Sequence, residues 1–156
     1  MLLLCATCEK PWYPRKIAEQ WYRERIALGN SGRFEKALET YEYAIQLNPK
    51  YVWAWFHKGK TLRELKRYDE ALAAYDEVMQ IDASFVNAYL GRGRVYLDLH
   101  SYQEALDVYE LATEVSPNNT WAWHDKGRAL HRLQNYEEAL IAYQRAIELD
   151  SRNMWA

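Results

Sequence analysis

Apolar residues in this chain recur at helical spacing. Trp123, Gly127 and Leu130 fall at i, i+4 and i+7, one stripe of an α-helix. After a break at Gln134-Asn135 a second stripe follows: Tyr136, Ala139, Leu140, Tyr143, Ala146 and Ile147. Polar and charged residues fill the positions between. The pattern predicts two helices joined by a short turn. The same pair of stripes occurs again upstream. Residues 120–153, moved back by 34 positions, fall on 86–119, then on 52–85, then on 18–51. The fourth position of each copy is Trp21, Trp55, Tyr89 or Trp123, and the eighth is Arg25, Gly59, Gly93 or Gly127. The seventeenth is Phe34, Tyr68, Tyr102 or Tyr136. The twentieth is Ala37, Ala71, Ala105 or Ala139, and the twenty-fourth is Tyr41, Tyr75, Tyr109 or Tyr143. Pro49 and Pro117 hold the thirty-second position in alternate copies.

A single hairpin of this kind cannot bury its own apolar face, so neighbouring copies must stack. Gly59, Gly93 and Gly127 are expected to let the paired helix approach closely. Ala71, Ala105 and Ala139 would present the small face that meets them, with tyrosine and tryptophan rings around the contact. Arg25 breaks the glycine rule in the first copy. Ser101-Tyr102-Gln103-Glu104 predicts a capping box at the start of a second helix, and Asn135 with Glu138 predicts a looser one. Gly32 is placed to end the first helix of its copy in a left-handed conformation.

This period and pattern resemble the tetratricopeptide repeat, over residues 18–153. The resemblance implies an all-α, right-handed superhelical solenoid of antiparallel helix hairpins, divided as 18–51, 52–85, 86–119 and 120–153. Residues 1–17 fit no repeat and read as an irregular lead-in. Met154-Trp155-Ala156 matches Val52-Trp53-Ala54 and Thr120-Trp121-Ala122, which reads as the start of a truncated fifth repeat. No polar capping helix follows. The last helix pair is therefore expected to expose an apolar strip through Leu140 and Ile147, and to permit self-association.

Composition narrows the function. The chain has 156 residues, 49% of them hydrophobic and 27% charged, which is globular rather than disordered. A net charge of −2 argues against nucleic-acid binding. No apolar run approaches the roughly 20 residues a membrane helix needs. Cys5 and Cys8 are the only cysteines, so a reducing cytoplasm is the expected setting. They lack the second pair that a zinc site would need and the βαβ context of a redox motif. His124 and His131 lie about 10 Å apart along a helix, too far for one metal without other ligands. No nucleophile–base pair or phosphate loop is present, so neither catalysis nor a cofactor is expected.

Stepping 100° per residue from the fourth position puts positions 2, 5, 6, 9, 12 and 13 opposite the core stripe of the first helices. The resemblance implies that this side lines a concave groove. It includes Trp53, Phe56, Lys60, Arg63, Asn87, Leu90, Arg94, Trp121, His124, Arg128 and His131. Position 9 makes a ladder of cations, Lys60, Arg94 and Arg128, and position 2 is tryptophan in alternate copies. These tryptophans either bind a ligand or pack between neighbouring first helices. The first helices carry ten cations against five anions, the second helices five against sixteen. The groove is thus expected to be mildly basic, suited to a peptide with acidic and apolar anchors. Lys58, Arg92 and Lys126, at position 7, are expected to snorkel over the core. The family's carboxylate clamp is missing in both possible frames; the later one holds Phe56, Lys60, Gly91, Trp121 and Asp125. The resemblance implies a non-catalytic scaffold that binds a protein or peptide. The alternative is a regulatory or oligomerising segment of a larger enzyme or signalling protein.

Overall fold

The computed structural model describes residues 31–153, with side chains for 33–151. The lead-in with Cys5 and Cys8, the stretch with Arg25 that was expected to be the first helix of repeat one, and Met154–Ala156 lie outside the described residues. Seven helices are described: α1 (Ser31–Leu47), α2 (Val52–Glu64), α3 (Tyr68–Ile81), α4 (Val86–Asp98), α5 (Tyr102–Val115), α6 (Thr120–Arg132) and α7 (Tyr136–Asn153). They form an all-α solenoid of antiparallel hairpins. Each helix packs on the next in the chain. In addition α2 packs on α4 and α4 on α6, whereas among the described residues the second helices α3, α5 and α7 do not pack on one another. The first helices therefore form the tighter, inner side of the solenoid.

One turn joins the helices of every complete hairpin. Lys66, His100 and Gln134 adopt φ of 60°, 60° and 65°, in the left-handed region. The amides that follow reach back over the helix end. His100 N–H donates to the Leu97 carbonyl (3.1 Å) and Ser101 N–H to the Tyr96 carbonyl (2.9 Å). This pair of bonds satisfies carbonyls that a helix end leaves unpaired. The expected capping box is not formed, because the Ser101 side chain makes no cap bond. The backbone turn alone fixes the entry to α5, with Ala105 N–H donating to the Ser101 carbonyl at 3.0 Å. Asn135 contacts Glu138 side chain to side chain (3.5 Å) rather than through the backbone. Gly32 does not end a helix; it lies in the first turn of α1, which begins three positions earlier in its repeat than α3 or α5. The one side-chain N-cap resolved on these helices is Asn119, whose Oδ1 accepts from Ala122 N–H at 3.0 Å.

The glycines do create close packing, but their partner is a ring and not an alanine. A Cβ on Gly93 would sit 2.4 Å from Tyr109 Cε1, and one on Gly127 would sit 2.7 Å from Tyr143 Cε1. Tyr75 meets glycines from two repeats, Gly59 of its own hairpin and Gly91 of the next. Tyr75 and Tyr109 are among the largest fully buried side chains, and the Tyr109 hydroxyl has no hydrogen-bond partner. Ala71 and Ala105 are fully buried beside them.

Burial pushes the hydroxyls of Tyr75 and Tyr109 above the ordinary tyrosine value of 10.0. Unfolded, these phenols ionise near pH 10; folded, they keep their protons. Their contribution to stability is complete below pH 10 and is lost as the pH rises from there towards the folded values. The melting temperature is expected to fall above pH 10. Replacing both tyrosines by phenylalanine should flatten that fall, with little loss at neutral pH for Tyr109→Phe, whose hydroxyl is unpaired. An unchanged alkaline slope in the double variant would locate the effect elsewhere.

Candidate binding groove

Because α2, α4 and α6 touch in sequence, equal positions on them form rows across the inner side. Three kinds of repeat-to-repeat contact hold those rows. The first is a hydrogen bond from the fourth position to the preceding turn. Trp55 Nε1–H donates to the Pro49 carbonyl (2.9 Å), Tyr89 O–H to that of Ala83 (3.1 Å) and Trp123 Nε1–H to that of Pro117 (2.8 Å).

The second is an ion pair from position 7 to position 25 of the preceding repeat. Lys58 Nζ lies 2.9 Å from Glu42, Arg92 Nη1 3.0 Å from Asp76, and Lys126 Nζ 3.1 Å from Glu110. Lys58 and Lys126 also lie over the rings of Trp55 and Trp123, at 5.5 and 5.6 Å. These cations were expected only to snorkel. They join one repeat to the next, and they account for part of the charge split between first and second helices. A sequence signal for them exists: a cation at 7 faces an acid at 25 in every repeat pair from 42 to 126.

The third joins first helix to first helix. Arg63 Nε donates to Asp98 Oδ2 at 2.7 Å. Arg94 Nε donates to Asp125 Oδ2 at 3.0 Å, and Arg128 Nη1 donates to Asp125 Oδ1 at 3.2 Å. Asp125 is 1% exposed, and His124 Nδ1 lies 3.3 Å from the same carboxylate. Two rungs of the expected cation ladder are therefore bridged by one buried acid. Sequence reading placed Asp125 on this side but gave it no role.

The aromatic positions divide. Trp53 meets Phe85, the last residue of its repeat, edge-on at 4.9 Å, and also packs on Phe56 and His57. Tyr41 stacks on His57 from the preceding helix. Trp53 is thus built into an aromatic cluster spanning two repeats, with 37% of it exposed. Trp121 is 62% exposed and touches His124 edge-on, at the far end of the row. Leu90 departs from the expected lining. It is 4% exposed and belongs to the core with Leu106, Tyr109 and Ala122, because α6 covers it. Asn87, Arg128 and His131 are exposed, while Phe56, Lys60, Arg63, Arg94 and His124 are half-buried.

At the turn end of the inner side lies a polar cleft of about 470 Å³. Arg63, Lys66, Arg128 and Arg132 line it, with Glu64, Asp98, His100 and the rings of Tyr68 and Tyr102. Cations there offset the negative ends of three helix dipoles. Four cations stand against two acids, and among the described residues neither Lys66 nor Arg132 pairs with a carboxylate. No three His, Cys, Asp or Glu side chains among the described residues gather as a metal site requires, and no described helix is long and apolar enough to cross a membrane.

Two tetratricopeptide repeat family models match the chain, over residues 20–84 and 84–152. A stretch of 43 residues is 52% identical to an uncharacterised protein of Methanocaldococcus jannaschii; it is 28% of this chain and spans half the length of that relative. Among solved structures, MamA from Desulfovibrio magneticus RS-1 matches with a TM-score of 0.72 at 24% identity, covering 92% of this chain and 77% of that one. YrrB, described as a tetratricopeptide repeat protein with an unusual peptide-binding site, matches with a TM-score of 0.65 at 31% identity. That match covers 73% of this chain and 59% of YrrB.

Proposed function

This chain belongs to the tetratricopeptide repeat family, a family of protein-interaction scaffolds, and from that premise we propose that it holds a segment of another protein along α2, α4 and α6 without catalysing a reaction on it. The observation that carries this reading is the pairing of two features on one side. The partly exposed aromatic cluster at Trp53 offers an apolar anchor, and the cleft holding Lys66 and Arg132 offers unpaired positive charge. A peptide with an apolar side chain and an acidic group suits both. Lys60, Asn87 and His131 lie along the same side. A peptide-binding site in YrrB, a relative by fold, supports the class of ligand and not its identity. A cytoplasmic setting, expected from the two cysteines alone, goes with this reading.

The test begins with a peptide library selected on the immobilised chain and continues with calorimetry of the best binder. Trp53→Ala is expected to weaken binding at least tenfold, as truncation of an aromatic anchor does at about 1.4 kcal/mol or more. Arg132→Glu should weaken it mainly at low salt. Arg94→Glu is a poor probe, because it would set a second carboxylate against Asp125. If Trp53→Ala binds normally but melts well below the parent, the ring is packing only and the groove reading falls.

A further inference from the structure

The cleft at the turn end of the inner side holds more positive charge than its own acids use. Arg63 donates to Asp98 and lies 4.0 Å from Glu64, and Arg128 shares Asp125 with Arg94. With those pairs set aside, Lys66 and Arg132 are left in excess, in a chain whose net charge is −2. Both are exposed, and they reach the same cleft from different repeats: Lys66 from the turn after α2, Arg132 from the last residue of α6. The helix ends beside them do not bar an anion. Carbonyls of the last turns already accept from amides beyond the left-handed residues: Leu62 from Arg67 N–H at 2.9 Å, Tyr96 from Ser101 N–H at 2.9 Å and Leu130 from Asn135 N–H at 3.0 Å. An entering anion meets cationic side chains rather than bare carbonyl oxygens.

The lining suits a phosphoryl group better than a carboxylate. A phosphomonoester carries about −1.5 to −2 charges and three acceptor oxygens, which matches two unpaired cations reaching in from two sides. A single carboxylate brings one charge and leaves one of the two cations unmatched. The Tyr68 hydroxyl, on a ring that lines the cleft, bonds to no group among the described residues. The cleft, at about 470 Å³, has room for a phosphoryl group. Resting on the groove reading above, we infer that the acidic group of the bound segment is a phosphorylated side chain, seated between Lys66 and Arg132. The spacing to the apolar anchor follows from the helices. From Trp53 to Glu64, α2 rises about 17 Å. The cleft is centred one helix to the side, about 9 Å away. An extended segment covers that diagonal in about six residues at roughly 3.3 Å each.

The test passes libraries of random peptides over the immobilised full chain, with serine, aspartate, glutamate or phosphoserine fixed at the centre. The phosphoserine library is expected to be retained roughly fivefold or more above the aspartate and glutamate libraries, the range of an added exposed charge pair with its hydrogen bonds. Its bound peptides, read by mass spectrometry, should be enriched in a large apolar residue about six positions from the phosphoserine. Lys66→Gln combined with Arg132→Gln, at two exposed positions, should bring phosphoserine down to the aspartate level while melting as the parent does. Trp53→Ala should erase the apolar enrichment and leave the phosphoserine preference. Equal retention of phosphoserine and aspartate, with the apolar enrichment intact, overturns the phosphate seat and leaves the groove reading standing. A phosphoserine preference without apolar enrichment supports the seat and overturns the groove reading at Trp53. The seat is also overturned if the preference survives in the double glutamine variant, since the phosphate would then be read elsewhere. Retention of no library overturns both. Displacement of the bound peptides by AMP, where an equal concentration of inorganic phosphate displaces none, would make the cleft a nucleotide site and overturn the proposal as well.

Discussion

Gly93→Leu is expected to lower stability by about 3 kcal/mol or more, at the upper end of what overpacking costs. The reason is local and geometric. Even the Cβ would lie 2.4 Å from Tyr109 Cε1 and 2.6 Å from Cζ. Tyr109 is 0% exposed and held in the core by Leu90, Leu106 and Ala122, so its ring has nowhere to go. Leucine favours helix over glycine by roughly 0.8 kcal/mol, which is too little to offset the clash. Gly59→Ala provides the graded control, because its Cβ would sit 3.0 Å from Tyr75 Cε1. There the gain in helix propensity and a small ring shift oppose each other, and a change within about 1 kcal/mol is expected. Urea midpoints with unchanged slopes measure both. Equal midpoints for the two variants would mean that the ring contact does not limit the approach of α4 and α5.

Asp125→Ala is the second large effect. It removes the one carboxylate that Arg94 and Arg128 share and leaves two guanidinium groups side by side. Breaking a fully buried pair costs about 3–5 kcal/mol. Arg94 and Arg128 are 38% and 48% exposed, so water takes up part of that loss. A loss of about 2 kcal/mol is expected, and it should shrink when Arg94→Ala is combined with it, since the double variant no longer holds the repelling pair. The thermal cycle of the two single variants and the double variant measures the coupling. Strict additivity would show that Asp125 acts through its volume against Tyr109 and not through the ion pair. Because the bridge ties repeat three to repeat four, the same variant should also loosen the row of residues proposed to bind a peptide.

The turn between helices shows why some local rules misfired. Ser101 and Glu104 are spaced as a capping box, but the left-handed His100 already closes the helix end through its own backbone bonds. Once the turn is fixed, the serine hydroxyl has no role in it. The same geometry holds Lys66 and Gln134, which have nothing in common with histidine as side chains. Turn shape is thus imposed by the hairpin packing, which overrides the modest preference of a single residue.

The candidate site divides in the same way. Periodicity placed Trp53, Phe56, Lys60, Arg94, Trp121 and Arg128 on one side of the first helices, because side-chain direction along a helix is fixed by 3.6 residues per turn. It did not say which of them would be covered. Leu90 and Phe56 hold the same position, yet α6 buries one while Phe56 stays partly open among other rings. Trp53 and Trp121 also hold the same position. One is folded into an aromatic cluster by Phe85, the last residue of its repeat, where repeat four has Asn153, and the other is 62% exposed.

By itself the sequence determined the family, the hairpin order and the positions at which the helices of a hairpin approach closely, though not that a tyrosine ring meets each glycine there. The reason is that these depend on spacing within about 34 residues, and the spacing is repeated four times. Only the tertiary structure decided the contacts between hairpins: Lys58 with Glu42, Arg63 with Asp98, and Arg94 and Arg128 on the buried Asp125. Those pairings follow from the angle and rise at which one hairpin stacks on the last. A periodic sequence repeats the same residue types at every step, but it carries no measure of that angle, so charge neutralisation and burial along the groove emerge only when the repeats are assembled.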